Sequence, residues 1–132
     1  MSDPELPEEI ARNIRDRKRW TWTQEGAGKE YQFEAFKADP VIRLKNLTEL
    51  GFVLQHVKGQ QILDAGAGTG RFTLPLVGRG YRVAAVDISA EMLREGKEQA
   101  TRLDTRYPCV VGDIERLPFP DATFDSVVSV TV

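Results

Sequence analysis

The stretch LDAGAGTGRF, Leu63 to Phe72, sets three glycines at alternate positions behind an aspartate. Gly66, Gly68 and Gly70 lie between a short apolar run, QILDA, and RFTLPLVGRG, which reads as a helix closed by Gly80. A backbone that leaves a strand, reverses and enters a helix within so few residues needs positive φ angles, which glycine adopts without steric cost. Absent side chains also let a ligand come close to the backbone and its amides. A strand, a bare turn and a helix in that order are the opening of a parallel-sheet unit.

The pattern continues along the chain. YRVAAVD reads as a second strand, and Ser89 as the N-cap of the helix AEMLREGKEQATRL, whose Ala90, Leu93, Ala100 and Leu103 are expected to face a sheet. CVVGD is the third strand and FDSVVSVTV the fourth. Pro75 is expected to shorten or bend the first turn of its helix. The alternation predicts an α/β fold, a Rossmann-like doubly wound sheet of about four parallel strands with right-handed crossovers. Ligands in such sheets sit beyond the carboxyl ends of the strands. The first three strands end on acids there: Asp64, Asp87 and Asp113.

Residues 1–58 read as an N-terminal helical segment and residues 59–132 as the sheet-forming half-domain. The mixed-charge run EEIARNIRDRKRW precedes a loop around QEGAGKE. Asp39 followed by Pro40 signals a helix start. Leu44, Leu47, Leu50, Leu54 and Val57 recur at three- and four-residue steps, a stripe on that helix, and Gly59 is placed to close it.

Composition enters as exclusion. With 18 basic and 20 acidic residues the net charge is -2, so no global field draws the chain to nucleic acid or an anionic membrane. The basic run RNIRDRKRWTW carries Trp20 and Trp22, but Glu8, Glu9 and Asp16 share its helix, which makes it a solvated face rather than a nucleic-acid contact. One cysteine, Cys109, and one histidine, His56, form neither a disulfide framework nor a Cys/His metal site. Cys109 is expected to be a buried, inert thiol, and His56 a surface or capping residue. No apolar run approaches the roughly 18 residues of a membrane span. The acidic, proline-bearing start differs from a secretory signal, and a cytoplasmic location is expected.

Three ligand classes compete for the glycine turn. A P-loop requires Gly-Lys-Ser/Thr, and Gly70 is followed by Arg71 and Phe72, so that class fails. A nicotinamide or flavin dinucleotide site wants G-x-G-x-x-G, and Arg71 holds the sixth position; this class is weakened and stays open. The third is S-adenosylmethionine, whose two positive centres tolerate the acid at Asp64 that would repel a pyrophosphate. Asp87 can accept from both ribose hydroxyls in either of the last two classes. Asp113 discriminates better, because its carboxylate can take the adenine amino hydrogen while the Ile114 N–H meets a ring nitrogen.

LDAGAGTGRF, VDIS and GDIERLPFPDATFDSVVS together resemble the class I S-adenosylmethionine-dependent methyltransferases, most of all the group with the ubiquinone and menaquinone biosynthesis methyltransferases and many small-molecule enzymes. The likeness covers roughly residues 60 to 130. It implies that Asp64 and the backbone of Ala65, Gly66 and Gly68 hold the methionine end of the cofactor, with Thr69 beside it and Gly70 opening the helix. By the same resemblance Asp87 binds the ribose, Ile88 lies against adenine, Asp113 and Ile114 read its edge, and Ser129 lines the pocket. Phe119 and Phe124 are expected in the core; Tyr31, Phe33 or Phe36 are candidates for substrate contact, with core packing expected for most of them.

The implied reaction moves a methyl group in line to a small-molecule acceptor, which requires positioning rather than one universal catalytic side chain. No catalytic residue is assigned. The alternative is a noncatalytic S-adenosylmethionine-binding or structural fragment, with a nicotinamide-binding protein behind it. The resemblance also implies a seven-stranded sheet of which four strands lie in these residues, leaving VVSVTV as an edge suited to self-association.

Overall fold

The computed structural model describes Arg12 and residues 39–130. Helix α1 spans Pro40–His56 and is followed by strand β1, Gln61–Ala65. Next come helix α2, Thr73–Gly78, strand β2, Arg82–Asp87, and helix α3, Ala90–Arg102. Strands β3, Cys109–Val111, and β4, Ser126–Val128, complete the set. The four strands form one parallel sheet in the order β3-β2-β1-β4.

That order explains where the crevice lies. From β1 the chain steps outward to β2 and β3, then crosses back to the far side of β1 for β4. The reversal falls between β1 and β4, the switch point at which open parallel sheets receive ligands.

Period-two alternation sends Ile62 to one face of β1 and Leu63 to the other. Ile62 and its partner Val83 gather Val53 of α1, Phe72, Leu76 of α2, and Val128. Beside them Ala85 packs with Leu93 and Ala100 of α3, Leu74 and Tyr107. The opposite face, Leu63, Ala65 and Val86, is covered by Phe119 and Phe124 from the connection between β3 and β4. Those two rings meet edge to face with centroids 5.1 Å apart.

The caps follow from local sequence. Asp39 Oδ1 accepts the Val41 N–H at 2.8 Å, with Pro40 in the first helical turn, and Ser89 Oγ accepts the Met92 N–H at 3.3 Å. Both satisfy amides that a helix start leaves without an internal partner. Pro75 is the third residue of α2, where its missing N–H would have had no intrahelical acceptor, so it costs the helix little.

Several expectations are corrected. Leu44 and Leu47 of the expected stripe are largely exposed, and Val53 is the residue of α1 that is buried. Ala90, the first residue of α3, is exposed, and Leu103, just beyond its end, is 66% exposed; Met92 and Gly96 face inward instead. Cys109 is half-buried rather than buried, and burial raises its thiol pKa. Helix α1 ends at His56 with Val57 extended, so Gly59 does not close it. His56 is exposed at that end, stacks on Phe52 with ring centroids 4.1 Å apart, and its Nδ1 lies 2.7 Å from the Phe52 carbonyl oxygen. The helix expected near Arg12 and the residues Trp20, Trp22, Tyr31, Phe33 and Phe36 lie outside the described residues, apart from Arg12 itself. No helix among the described residues is long and apolar enough to cross a membrane.

Candidate functional site

Gly66, Gly68 and Gly70 take φ values of 79°, 56° and 87°, so the turn uses the left-handed region three times in five residues. The expectation was a ligand resting on the turn's amides. The structure turns those amides inward. Gly66 N–H and Ala67 N–H both donate to the Val86 carbonyl, at 2.8 and 3.0 Å. Gly68 N–H donates to Asp87 Oδ2 at 2.9 Å, and Gly70 N–H to the Ala67 carbonyl at 3.1 Å. The carbonyls of Gly66 and Gly68 accept no hydrogen bond among the described residues. At Gly66, Ala67, Gly68 and Gly70 the turn's amides are therefore engaged, while the Gly66 and Gly68 carbonyls are left as acceptors.

Asp64 stands beneath the turn at the end of β1 and is 2% exposed. Thr73 Oγ1 donates to its Oδ2 at 2.6 Å. Burial, reinforced by the negative charge of Asp87 and opposed by the Thr73 hydrogen bond and the Arg71 charge, pushes its pKa up to about 6. A nearby cationic group would favour the ionised form and reverse that shift.

Asp87 terminates β2 and is half-buried. Besides Gly68 it accepts the Ser89 N–H on Oδ1 at 2.9 Å, so one carboxylate ties the glycine turn to the start of α3. Ile88 beside it is half-buried. On the neighbouring strand the Gly112 N–H donates to the Asp87 carbonyl at 3.0 Å, which sets Asp113 on the same rim. Asp113 Oδ1 accepts the Glu115 N–H at 2.9 Å, and the Ile114 amide donates to nothing among the described residues. Ala65 and Thr69 are buried at the base of the turn. Ser129 is exposed just past β4, beyond Asp64 across the sheet. The structure thus lines up Asp113, Asp87, Asp64 and Ser129 along the carboxyl ends of four adjacent strands.

Sequence reasoning passed over the support of this rim. Arg71 is 9% exposed and reaches back to α1, donating to Glu49 Oε2 at 2.8 Å and Asn46 Oδ1 at 3.0 Å, with its guanidinium 4.4 Å from the Phe72 ring centroid. Gly96 lets α3 approach the turn: a Cβ there would meet the Thr69 carbonyl oxygen at 2.9 Å. A glycine in the interior of an otherwise good helix was the available signal for that contact.

The chain belongs to a known family. The profile of the methyltransferase domain family matches residues 62–132, and together with this sheet and rim it makes the chain a member of the class I S-adenosylmethionine-dependent methyltransferases. The chain is 46% identical over 77 residues to the malonyl-[acyl-carrier protein] O-methyltransferase of Erwinia billingiae, covering 58% of this chain and 29% of that one. It is 41% identical over 71 residues to the demethylmenaquinone methyltransferase of Renibacterium salmoninarum, covering 54% and 28%. Among solved structures, a Pyrococcus horikoshii protein superposes with a TM-score of 0.56 at 35% identity, covering 64% of this chain and 37% of that one. The chain spans less than a third of the length of these two enzymes.

Proposed function

We propose that the rim binds S-adenosylmethionine and that the protein to which it belongs transfers the methyl group to a small-molecule acceptor. The observation that carries this reading is the orientation of the glycine turn. A pyrophosphate requires amide donors, and the amides of Gly66, Ala67, Gly68 and Gly70 are already engaged. An ammonium and a sulfonium require electron-rich neighbours, and the turn supplies the Gly66 and Gly68 carbonyls above Asp64. The dinucleotide alternative loses its main anchor on the same ground.

Within this reading Asp64, with Ala65, Gly66, Gly68, Thr69 and Gly70, holds the methionine end. Asp87 takes the ribose hydroxyls on lone pairs not used by Gly68 and Ser89. Ile88 lies on the adenine, Asp113 and the Ile114 amide read its edge, and Ser129 closes the pocket beyond β1. When bound, the sulfonium supplies a methyl group whose departure leaves a neutral thioether. The residues of this chain orient it for in-line attack by the acceptor, which loses its proton to a base outside the rim. A cytoplasmic location and self-association along β4 accompany the reading.

Isothermal titration tests it. S-adenosylmethionine is expected to bind the full chain and S-adenosylhomocysteine to compete for the same site. Asp87→Asn is expected to weaken both by about 1.5–3 kcal/mol, the range for hydrogen bonds to a charged group. Failure of both ligands at millimolar concentration, with NADH binding in their place, overturns the assignment.

A further inference from the structure

Among the described residues the hydroxyl of Tyr107 is the one buried side-chain polar atom with no hydrogen-bond partner. Tyr107 is 6% exposed, two residues before β3, and its ring packs among Leu74, Ala85, Leu93 and Ala100. A phenylalanine would fill that place equally well, and a buried hydroxyl without an acceptor weakens a fold.

The oxygen reaches the underside of the glycine turn. A Cβ on Gly70 would stand 2.8 Å from it, and a Cβ on Gly96 2.5 Å. The Gly96 point is also 2.9 Å from the Thr69 carbonyl oxygen, which accepts no hydrogen bond among the described residues. A donor lacking an acceptor and an acceptor lacking a donor thus border the same space, the one a Cβ on Gly96 would fill. Thr69 sits between Gly68 and Gly70, whose freedom lets the Thr69–Gly70 peptide tilt by a small angle that keeps the Gly70 N–H on the Ala67 carbonyl.

We propose that Tyr107 is a positioning residue for the cofactor: when the turn settles onto its ligand, Tyr107 Oη donates to the Thr69 carbonyl and completes a bond that the unloaded chain lacks. The inference rests on the reading of the turn as the S-adenosylmethionine site. A bond present only in the loaded state contributes fully to affinity and nothing to the stability of the free protein. Its signature is therefore a split between two measurements that a core residue would move together.

The experiment compares the full chain with Tyr107→Phe by thermal unfolding without ligand and by titration with S-adenosylmethionine. The free variant is expected to melt at the same temperature or higher, while its Kd rises about 2- to 13-fold, the equivalent of one net hydrogen bond. A lower melting temperature for the free variant shows that the hydroxyl was already bonded and overturns the proposal. An unchanged Kd in the variant overturns it while leaving the cofactor reading intact. If the unsubstituted chain itself binds no S-adenosylmethionine, both fall together.

Discussion

At the residue scale the decisive group is Asp64. Its carboxyl is raised from 3.8 to about 6 in the folded chain, chiefly by burial. The folded state consequently holds a proton more tightly than the unfolded state, and the stability this provides is fully present below about pH 3.8. It is lost as pH rises through about 6, a change of about 3 kcal/mol at 1.36 kcal/mol per pKa unit. Urea unfolding of the free chain followed from about pH 4 to about pH 7 is expected to show that decline, and Asp64→Asn to flatten it. A slope unchanged in the variant would mean that another group carries the titration. Asp125 acts in the opposite sense: the Gln61 and Gln60 amides hold its carboxyl below the usual range, so what it contributes is present at neutral pH and lost on acidification.

At the scale of elements, the attachment of α1 depends on a few long-range polar contacts as well as on Val53 and its neighbours. Arg71 leaves the glycine turn and grips Glu49 and Asn46 on α1, so the helix and the turn share one guanidinium. Glu49→Ala is expected to cost about 1.5–3 kcal/mol, read as a lower melting temperature and faster hydrogen exchange confined first to α1 and the turn. Uniform exchange throughout the chain would show that α1 is held by its apolar contacts alone. Strand β4 is fastened in a similar way. Ser126 Oγ accepts the Lys58 N–H at 2.8 Å and donates to the Lys58 carbonyl at 2.7 Å, while Asp125 Oδ2 accepts the Gln60 and Gln61 amides, each at 3.0 Å. These contacts explain the uneven legibility of the chain. Asp39, Ser89 and the strand alternation are local signals, and each was readable where it stands. Leu44, Leu47 and Leu103 show the limit, because periodicity says which residues share a face but not whether any surface lies opposite. Arg71 to Glu49, Tyr107 to Gly96 and Asp125 to Gln60 join positions far apart in sequence, and no local rule announces them. The acids of the rim were found because strand ends can be located; the direction of the turn's amides was not, because it depends on where Val86 lies across the ladder.

For the sheet as a whole, β4 is an edge among the described residues; it pairs with β1 over three register positions and leaves Val127 60% exposed. Unpaired β-branched edges recruit other strands, and a lysine placed there discourages it. Light scattering of the full chain is expected to show a mass that grows with concentration, and Val127→Lys to hold it at one chain. A single-chain mass for the unsubstituted protein at high concentration would remove the edge as an interface. One oxygen at the centre of the sheet has a wider meaning. By receiving two successive amides, the Val86 carbonyl takes the Gly66 and Ala67 donors away from the mouth. On the proposed assignment of the turn, preference for a positively charged nucleoside over a phosphorylated one lies in main-chain connectivity. Redesign toward a phosphorylated ligand by exchanging side chains would leave that polarity in place, and success would require rehanging the loop on a different strand.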